Sequence, residues 1–355
     1  MRNLAATGKI IARMTPDEEE KFMIDERYRE WNRDHQTIRQ HGAVGSLCRG
    51  IEITVHGMPS RLIAWPGNGY QTESVHVVTL QPGQSSDLYT YDMAEEAFLC
   101  ILGSGEIYVR GQWVGIAPGD LAYIPAAVPR AVRNPASNTD QLVLVNQITP
   151  PQFDVYAADG YYDRTHKVMN FDAIEAAKLT ARQVDLPPAT DVRMRETHPD
   201  VRPWNLDVSE IRQGGALFNV MKGASFGELG TPMLLVLWPG YGVGSAGLHM
   251  GGTPAGARAA IHTHPVSDEC LFNWIGDGEV YCEGEWMPSS AYDVLLAPCG
   301  VHHSVGGSRN LSDGPSYGCG YASPPQLDLY IDSPFFQSGT FTAPPWTVLP
   351  TASPE

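Results

Sequence analysis

The chain has 355 residues, of which 43% are hydrophobic and 18% charged, with a net charge of −16, 36 glycines and 28 prolines. That length and hydrophobicity allow two domains with sizeable cores and exclude general disorder. The acidic balance, with no basic stripe to offset it, excludes nucleic acid and anionic membrane surfaces as partners, while leaving a small anionic substrate open, because one buried arginine outweighs a distant, screened field. So many glycines and prolines suit an all-β protein of short strands.

In chain order, the opening MRNLAATGKIIARM has no apolar run long enough for a signal peptide. No stretch approaches the roughly eighteen apolar residues of a membrane span. Thr15-Pro16-Asp17-Glu18-Glu19 is a helix start, with Thr as N-cap and Pro at the first helical position, and predicts a helix to about Arg39. Short apolar or alternating runs then follow at Val77–Leu80, Ala97–Leu102, Glu106–Val109, Leu121–Ile124 and Leu142–Val145, separated by turn residues. A second helix is expected at Phe171–Gln183, started by Asn170 or Asp172. From Ser333 onward a Pro-, Thr- and Phe-rich tail is expected to wrap the surface. The six cysteines, Cys48, Cys100, Cys270, Cys282, Cys299 and Cys319, form no CxxC pair and read as free thiols in a reducing cytoplasm.

The chain contains a duplication. EAFLCILGSG from Glu96 and ECLFNWIGDG from Glu269 lie 173 positions apart. The same offset carries Gly103, Gly105, Glu106, Tyr108, Gly111, Trp113, Asp120 and Pro125 onto Gly276, Gly278, Glu279, Tyr281, Gly284, Trp286, Asp293 and Pro298. Glycines, a tryptophan and a proline held in register over that distance indicate two copies of one β-domain.

The second copy concentrates costly polar groups. His262 and His264, two apart, share a face of an extended segment; a hairpin strand brings Glu269 to it, and a further strand adds His303. Three imidazoles and one carboxylate suit a single divalent ion such as Zn, Mn, Fe or Ni. At the same offset the first copy has Tyr89, Tyr91 and Arg130, and keeps only Glu96. A neutral tyrosine is a poor ligand and arginine cannot coordinate, so the first copy is expected to bind no metal, with Glu96 and Arg130 pairing across the vacated pocket.

The run HTH-x4-E-x6-G from His262, followed by P-x-G-x2-H ending at His303, resembles the two motifs of the cupin superfamily. The resemblance implies two tandem jelly-roll β-barrels with a few flanking helices, a bicupin, in which His262, His264, Glu269 and His303 are the metal ligands of the second barrel. The organisation expected is an N-terminal helical or extended arm over 1–60, a metal-free barrel over 61–165, a linker with a helix over 166–215, a metal-binding barrel over 216–332 and a tail over 333–355.

Alternation adds substrate-binding candidates: Arg258 as a bidentate carboxylate clamp, and Asn273, Tyr281 and Tyr321 as barrel-facing residues. His302 is expected to point away, and His249, in the Gly-rich AGLHMGGTPAGAR, to serve on the surface. The resemblance to ureidoglycine aminohydrolase-type bicupins, with metal only in the second barrel, implies non-oxidative loss of ammonia or sulfide from a ureido-, hydantoin- or thiohydantoin-like carbon of a small organic acid, with Zn or Mn and with Glu269 as both ligand and catalytic base. A resemblance to gentisate- or quercetin-type dioxygenases implies Fe and oxygen instead; storage bicupins imply ligand binding without chemistry. An oxalate-decarboxylase-like reading fits less well, since such bicupins usually load both barrels. One divalent ion per chain, a small anionic or cyclic substrate and a homo-oligomeric assembly are the remaining expectations.

Overall fold

Turn glycines and prolines cut the chain into short strands, and the side chains of those strands alternate between core and solvent or are buried on both faces. The computed structural model describes residues 24–189, 192, 198–228 and 231–326. The first half contains β1 (Ala43–Ser46), β2 (Ile51–Val55), β3 (Met58–Ala64), β4 (Ser74–Leu80), β5 (Glu95–Leu102), β6 (Gly105–Val109), β7 (Gln112–Ile116), β8 (Asp120–Ile124), β9 (Ala131–Arg133) and β10 (Leu142–Thr149). A small hairpin, β11 (Tyr162–Asp163) and β12 (Val168–Met169), follows. The second half repeats the set as β13 (Ala216–Asn219), β14 (Ala224–Glu228), β15 (Thr231–Leu237), β16 (Gly247–Thr253), β17 (Asp268–Ile275), β18 (Gly278–Cys282), β19 (Glu285–Ser289), β20 (Asp293–Ala297), β21 (His303–Gly307) and β22 (Ser316–Ser323). The architecture is all-β, two jelly-roll barrels with a few short helices. Each expected strand of the first half is present, several of them longer than the apolar run alone suggested.

The duplication reaches further upstream than the motif region. Trp65-Pro66-Gly67 and Trp238-Pro239-Gly240 occupy the same place in each half. Both indoles are fully buried and fold back over a glycine. A Cβ would come within 2.3 Å of the Trp65 ring at Gly67 and within 2.5 Å of the Trp238 ring at Gly240. A side chain at either glycine would therefore expel the indole.

Each barrel has a seven-stranded sheet, and each sheet borrows its outermost strand from the other half. One sheet runs β13-β8-β5-β10-β4-β3-β2 and the other β1-β20-β17-β22-β16-β15-β14; three-stranded sheets β7-β6-β9 and β19-β18-β21 complete the barrels. Thus β1 pairs antiparallel with β20, Ala43 opposite Leu296, and β13 pairs with β8, Ala216 opposite Tyr123. This corrects the expected boundaries. The first barrel begins at Ile51, inside the supposed arm of 1–60, and β13, at the head of the supposed second barrel, belongs to the first. One continuous core runs between the halves and joins Val77, Leu99 and Val145 to Leu235, Phe272 and Tyr321.

The expected N-terminal helix is also corrected. Its start at Thr15 lies outside the described residues, as does the tail from 333. Where it should continue, two single turns at Glu26–Tyr28 and Glu30–Asn32 precede a separate helix, His35–His41. Asp34 begins that helix by accepting hydrogen bonds from the Gln36 and Thr37 amides. Ile24 and Tyr28 instead pack on Val44, Val280, Met287 and Leu295 of the second barrel. The second helix forms at Phe171–Thr180, with the Asn170 side chain accepting from the Ala173 amide as its cap.

Paired acids seam the halves together. Asp268 accepts hydrogen bonds from the Gln71 and Thr72 amides and an ion pair from Arg39 at 2.5 Å. At the corresponding position Glu95 accepts from the Ser245 and Ala246 amides. With β1 and these contacts removed, β20 becomes an exposed apolar edge. A fragment of residues 198–355 made alone is therefore expected to lack fixed tertiary structure by near-ultraviolet circular dichroism, and to regain it when residues 1–197 are supplied in trans.

Beneath the exchanged strand lies Glu30, its carboxylate accepting from Asn68 Nδ2 at 2.9 Å. Burial raises its pKa from 4.5 to about 7, against the pull of Lys178 and Asn68. The folded state thus holds this proton more tightly than the unfolded state, and stability falls as pH rises from the unfolded value through the folded one. Glu30→Gln should raise stability at pH 8 by roughly 1–3 kcal/mol and give no gain at pH 4, measured by urea unfolding at the two pH values.

Candidate metal centre

His262 and His264 lie in the segment between β16 and β17, and this segment is not a regular strand. Its one bridge near the histidines is His262 with His303, whose backbones exchange hydrogen bonds at 3.1 and 3.0 Å. That bridge sets the two rings side by side, with centroids 4.4 Å apart; His264 lies 4.8 Å from His262 and 5.1 Å from His303. The His264 carbonyl is held by the Gly300 amide. Glu269 enters from β17, opposite Ala297 of β20. One donor atom from each of His262, His264, Glu269 and His303 falls within 4.8 Å of the others. His262 is half-buried and the other three are buried.

The donor set fits a divalent cation. His262 Nδ1 and His303 Nδ1 each lie 2.9 Å from a backbone carbonyl, of Ala260 and Val301 respectively. A carbonyl only accepts, so both Nδ1 atoms carry the proton and both Nε2 lone pairs face inward. His303 Nε2 is 2.7 Å and His264 Nε2 3.2 Å from Glu269 Oε2. Lone pairs and a carboxylate oxygen converging this closely require a cation between them, either protons or a metal ion. Burial alone would raise the Glu269 pKa; the imidazoles of His264 and His303 outweigh it and hold the carboxyl well below its usual range. Burial, reinforced by His303, lowers His262 to about 4, so that it is neutral and able to ligate at neutral pH.

The site sits in the wall of a cavity of about 70 Å³ inside the second barrel. Its apolar lining includes Met233, Leu271, Val280 and Val305, with Asn273, Ser304, Thr253 and the buried carboxylate of Glu279 as polar points.

Of the substrate candidates, Asn273 lines this cavity, its Nδ2 donating to the Gly276 carbonyl. The other three lie elsewhere. Arg258 is not part of the lining; its guanidinium lies on Glu279 at 2.8 and 3.0 Å and over the Trp286 ring. Tyr281 packs edge-on against Trp286. Tyr321 is fully buried between the barrels and donates to the Val145 carbonyl at 2.9 Å. Tyr321 lies on the sheet face turned to the inter-barrel core, and Arg258 precedes a segment whose irregular backbone breaks the alternation assumed for it. His302 is exposed.

His249 corrects the opposite way. It is buried on β16, lines the cavity, and sets Nε2 3.5 Å from Glu269 Oε1. The Gly-rich sequence around it suggested a surface loop. The usable signal was the repeat offset, which places His249 on His76, a residue next to a legible strand.

In the first barrel the corresponding pocket is filled. Glu96 accepts from Tyr89 Oη at 2.9 Å and Asn146 Nδ2 at 2.8 Å, and pairs with the fully buried Arg130 at 3.3 Å. The expected Glu96–Arg130 pair is therefore present.

A family model for the cupin domain matches residues 76–145, within the first barrel. No curated protein matches the chain. Among solved structures, the putative glyoxylate induced protein from Pseudomonas aeruginosa is similar at 15% identity and a TM-score of 0.52, covering 80% of this chain and 89% of that one. Protein Ylba from E. coli is similar at 13% identity and a TM-score of 0.52, covering 80% and 91%. Oxalate decarboxylase from Bacillus subtilis aligns at 15% identity and a TM-score of 0.48, covering 81% and 78%. Among the described residues no helix is long and apolar enough to cross a membrane. The domain match and the duplicated barrels converge on one conclusion: the chain carries a cupin domain in its first barrel and has the fold of a two-barrel cupin.

Proposed function

We propose that this bicupin is a metalloenzyme with one divalent ion, Zn or Mn, held by His262, His264, Glu269 and His303, and that it acts non-oxidatively on a small, uncharged or cyclic substrate. The observation that carries this reading is the convergence of four donors within 4.8 Å at the wall of an internal cavity. A bound ion would supply a Lewis acid and a water of lowered pKa. The chain's own groups define the rest. The carbonyls of Ala260 and Val301 fix the His262 and His303 tautomers. Leu271, Val280 and Val305 would keep bulk water from the reacting atoms. Glu269, one oxygen of which faces His249, would hold the ion and would be the proton acceptor nearest to it.

The cavity restricts the substrate. Its modest size suits a small molecule. Among the described residues the lining contains no Arg or Lys, and Glu279 adds a second carboxylate to it. That balance favours an uncharged cyclic ureide or a similar ring over the small organic acid expected from the sequence. Loss of ammonia or sulfide from such a carbon matches these demands. The apolar wall formed by Leu271, Val280 and Val305 also suits an aromatic guest, which keeps an iron dioxygenase as the second reading.

Arg258 is explained without a substrate. In the metal-free first barrel Arg133 pairs with Glu106 at 2.5 Å and lies over Trp113 at 4.2 Å. In the second, Arg258 pairs with Glu279 and lies over Trp286 at 4.5 Å. The arginines come from opposite members of one bridge, Ser85 with Arg133 in the first barrel and Arg258 with Gly306 in the second. A guanidinium kept in the barrel without ligands is a packing device. It has migrated across the bridge while its Glu and Trp partners stayed.

Elemental analysis of protein purified without added metal is expected to find Zn or Mn near one per chain, and ammonia or sulfide release from cyclic ureides should persist when oxygen is removed. Iron together with oxygen uptake on aromatic diols would transfer the assignment to the dioxygenase. Arg258→Ala should leave metal content unchanged and lower stability by about 1 kcal/mol or less, since its side chain is 45% exposed and Arg309 still pairs with Glu279. A loss of metal or of substrate affinity in that variant would return Arg258 to the site.

A further inference from the structure

We propose that His249 is a positioning residue for the metal centre: it holds the second oxygen of Glu269, so that a single carboxylate oxygen is presented to the ion, and Gly320 exists to make room for it. The proposal rests on the metal reading above. Glu269 Oε2 faces His264 and His303, at 3.2 and 2.7 Å, whereas Oε1 faces His249 Nε2 at 3.5 Å. The carboxylate is thus divided, one oxygen toward the ligand histidines and one toward His249. His249 is buried, so this contact is not a surface accident.

The neighbouring strand shows what the arrangement requires. His249 on β16 lies opposite Gly320 on β22. A Cβ at position 320 would stand 2.4 Å from His249 Cε1, 2.6 Å from its Nε2 and 3.0 Å from Glu269 Oε1. Any side chain there would displace the imidazole from the carboxylate.

The first barrel solves the same problem with the roles exchanged. The equivalent pair in register is His76 on β4 opposite Asn146 on β10. There Asn146 reaches the glutamate, Nδ2 donating to Glu96 Oε1 at 2.8 Å. His76 lies with Nε2 3.5 Å from the Tyr156 hydroxyl. One copy therefore hydrogen-bonds its buried carboxylate from the last strand of the barrel, the other sets an imidazole beside it from β16, and the pair is reciprocal: Asn with a His turned to Tyr156, or Gly with a His beside the carboxylate. Only the arrangement with the His beside the carboxylate coincides with the metal ligands. An imidazole donor is bulkier and more rigid than a carboxamide, so the carboxylate has fewer orientations open to it.

The reciprocity supplies the test. Mn(II) is titrated into metal-stripped wild type, His249→Ala, Gly320→Asn and the double variant His249→Ala/Gly320→Asn, with free and bound Mn(II) read by electron paramagnetic resonance and apo-protein melting temperatures as the folding control. His249→Ala and Gly320→Asn are each expected to weaken Mn(II) binding about 10–100-fold, the range for loss of a group that orients a ligand. The double variant should recover most of that loss, because the carboxamide introduced on β22 would reach Glu269 as Asn146 reaches Glu96. His249→Gln, which keeps an N–H donor, should bind within a few fold of wild type even if the alanine variant folds poorly. Binding by His249→Ala at the wild-type level, or a double variant no tighter than His249→Ala, would overturn the proposal while leaving the metal site intact. A wild-type chain that binds neither Mn(II) nor Zn(II) would remove the metal reading and, with it, this role for His249.

Discussion

A carboxylate taken out of water must be met by positive charge or by N–H and O–H groups, and the uncompensated cost is several kcal/mol. Both halves of this chain bury a glutamate at the same place in the barrel, Glu96 and Glu269. The rest of the site is how each half meets that constraint. In the first barrel the compensation is covalently built in: Arg130, fully buried, brings the cation, and Tyr89 and Asn146 complete the shell. In the second barrel the position of Arg130 is taken by His303 and those of the two tyrosines by His262 and His264. Imidazoles offer lone pairs where the first barrel has a guanidinium, so the compensating cation on this side is either a proton or a bound ion. The two barrels are thus complementary answers to one electrostatic problem, and the loss of ligands in the first is compensated by an arginine, not left as an empty pocket.

The first barrel nevertheless helps to seat the second one's glutamate. Tyr70 donates to the backbone carbonyl of Glu269 at 2.6 Å, and its oxygen accepts from the Ala297 amide at 2.9 Å on the neighbouring strand. The next residue back, Asp268, is pinned by the Gln71 and Thr72 amides and by Arg39. The main chain at the ligand glutamate is therefore held from the other half, on a sheet whose edge strand, β1, also comes from that half. Rigid support of this kind keeps a ligand set within the small tolerance that a metal geometry requires. Strand exchange makes it unavoidable: neither barrel can be completed, nor Glu269 seated, without both halves.

The sequence made the fold class, the duplication and the ligand convergence legible because each rests on local spacing: short strands between turn residues, an offset that repeats, two motifs with fixed intervals. The pairing of Glu96 with Arg130 was legible for the same reason, since superposing the copies showed the acid retained and a base on a vacated ligand position. Strand exchange was not. The strands concerned, Ala43–Ser46 and Ala216–Asn219, are short and wholly buried, and nothing in so brief an apolar run says which sheet edge, near or distant in sequence, will accept it. The separate helix at His35 was hidden because the pattern from Thr15 contains no proline or glycine beyond its first turn to break it; burial of Ile24 and Tyr28 against the second barrel overrides the local preference.

The errors among the substrate candidates have one physical origin. Alternation predicts a face only where the backbone is a regular strand with a known inside. Tyr321 obeys its strand, but the two faces of β22 look into the metal barrel and into the core between barrels, and both are buried; a hydroxyl satisfied by the Val145 carbonyl belongs to the second. Arg258 lies where the backbone forms an isolated bridge, and its guanidinium follows the nearest buried acid, Glu279. His249 shows the converse. The glycines around it imitate a loop, yet Gly252 leaves room for the Tyr317 ring, and Gly320 on the facing strand leaves room for the His249 ring itself. A glycine whose Cβ position is occupied by a polar ring is evidence for that ring's placement, and it is the kind of evidence that a one-dimensional pattern cannot hold.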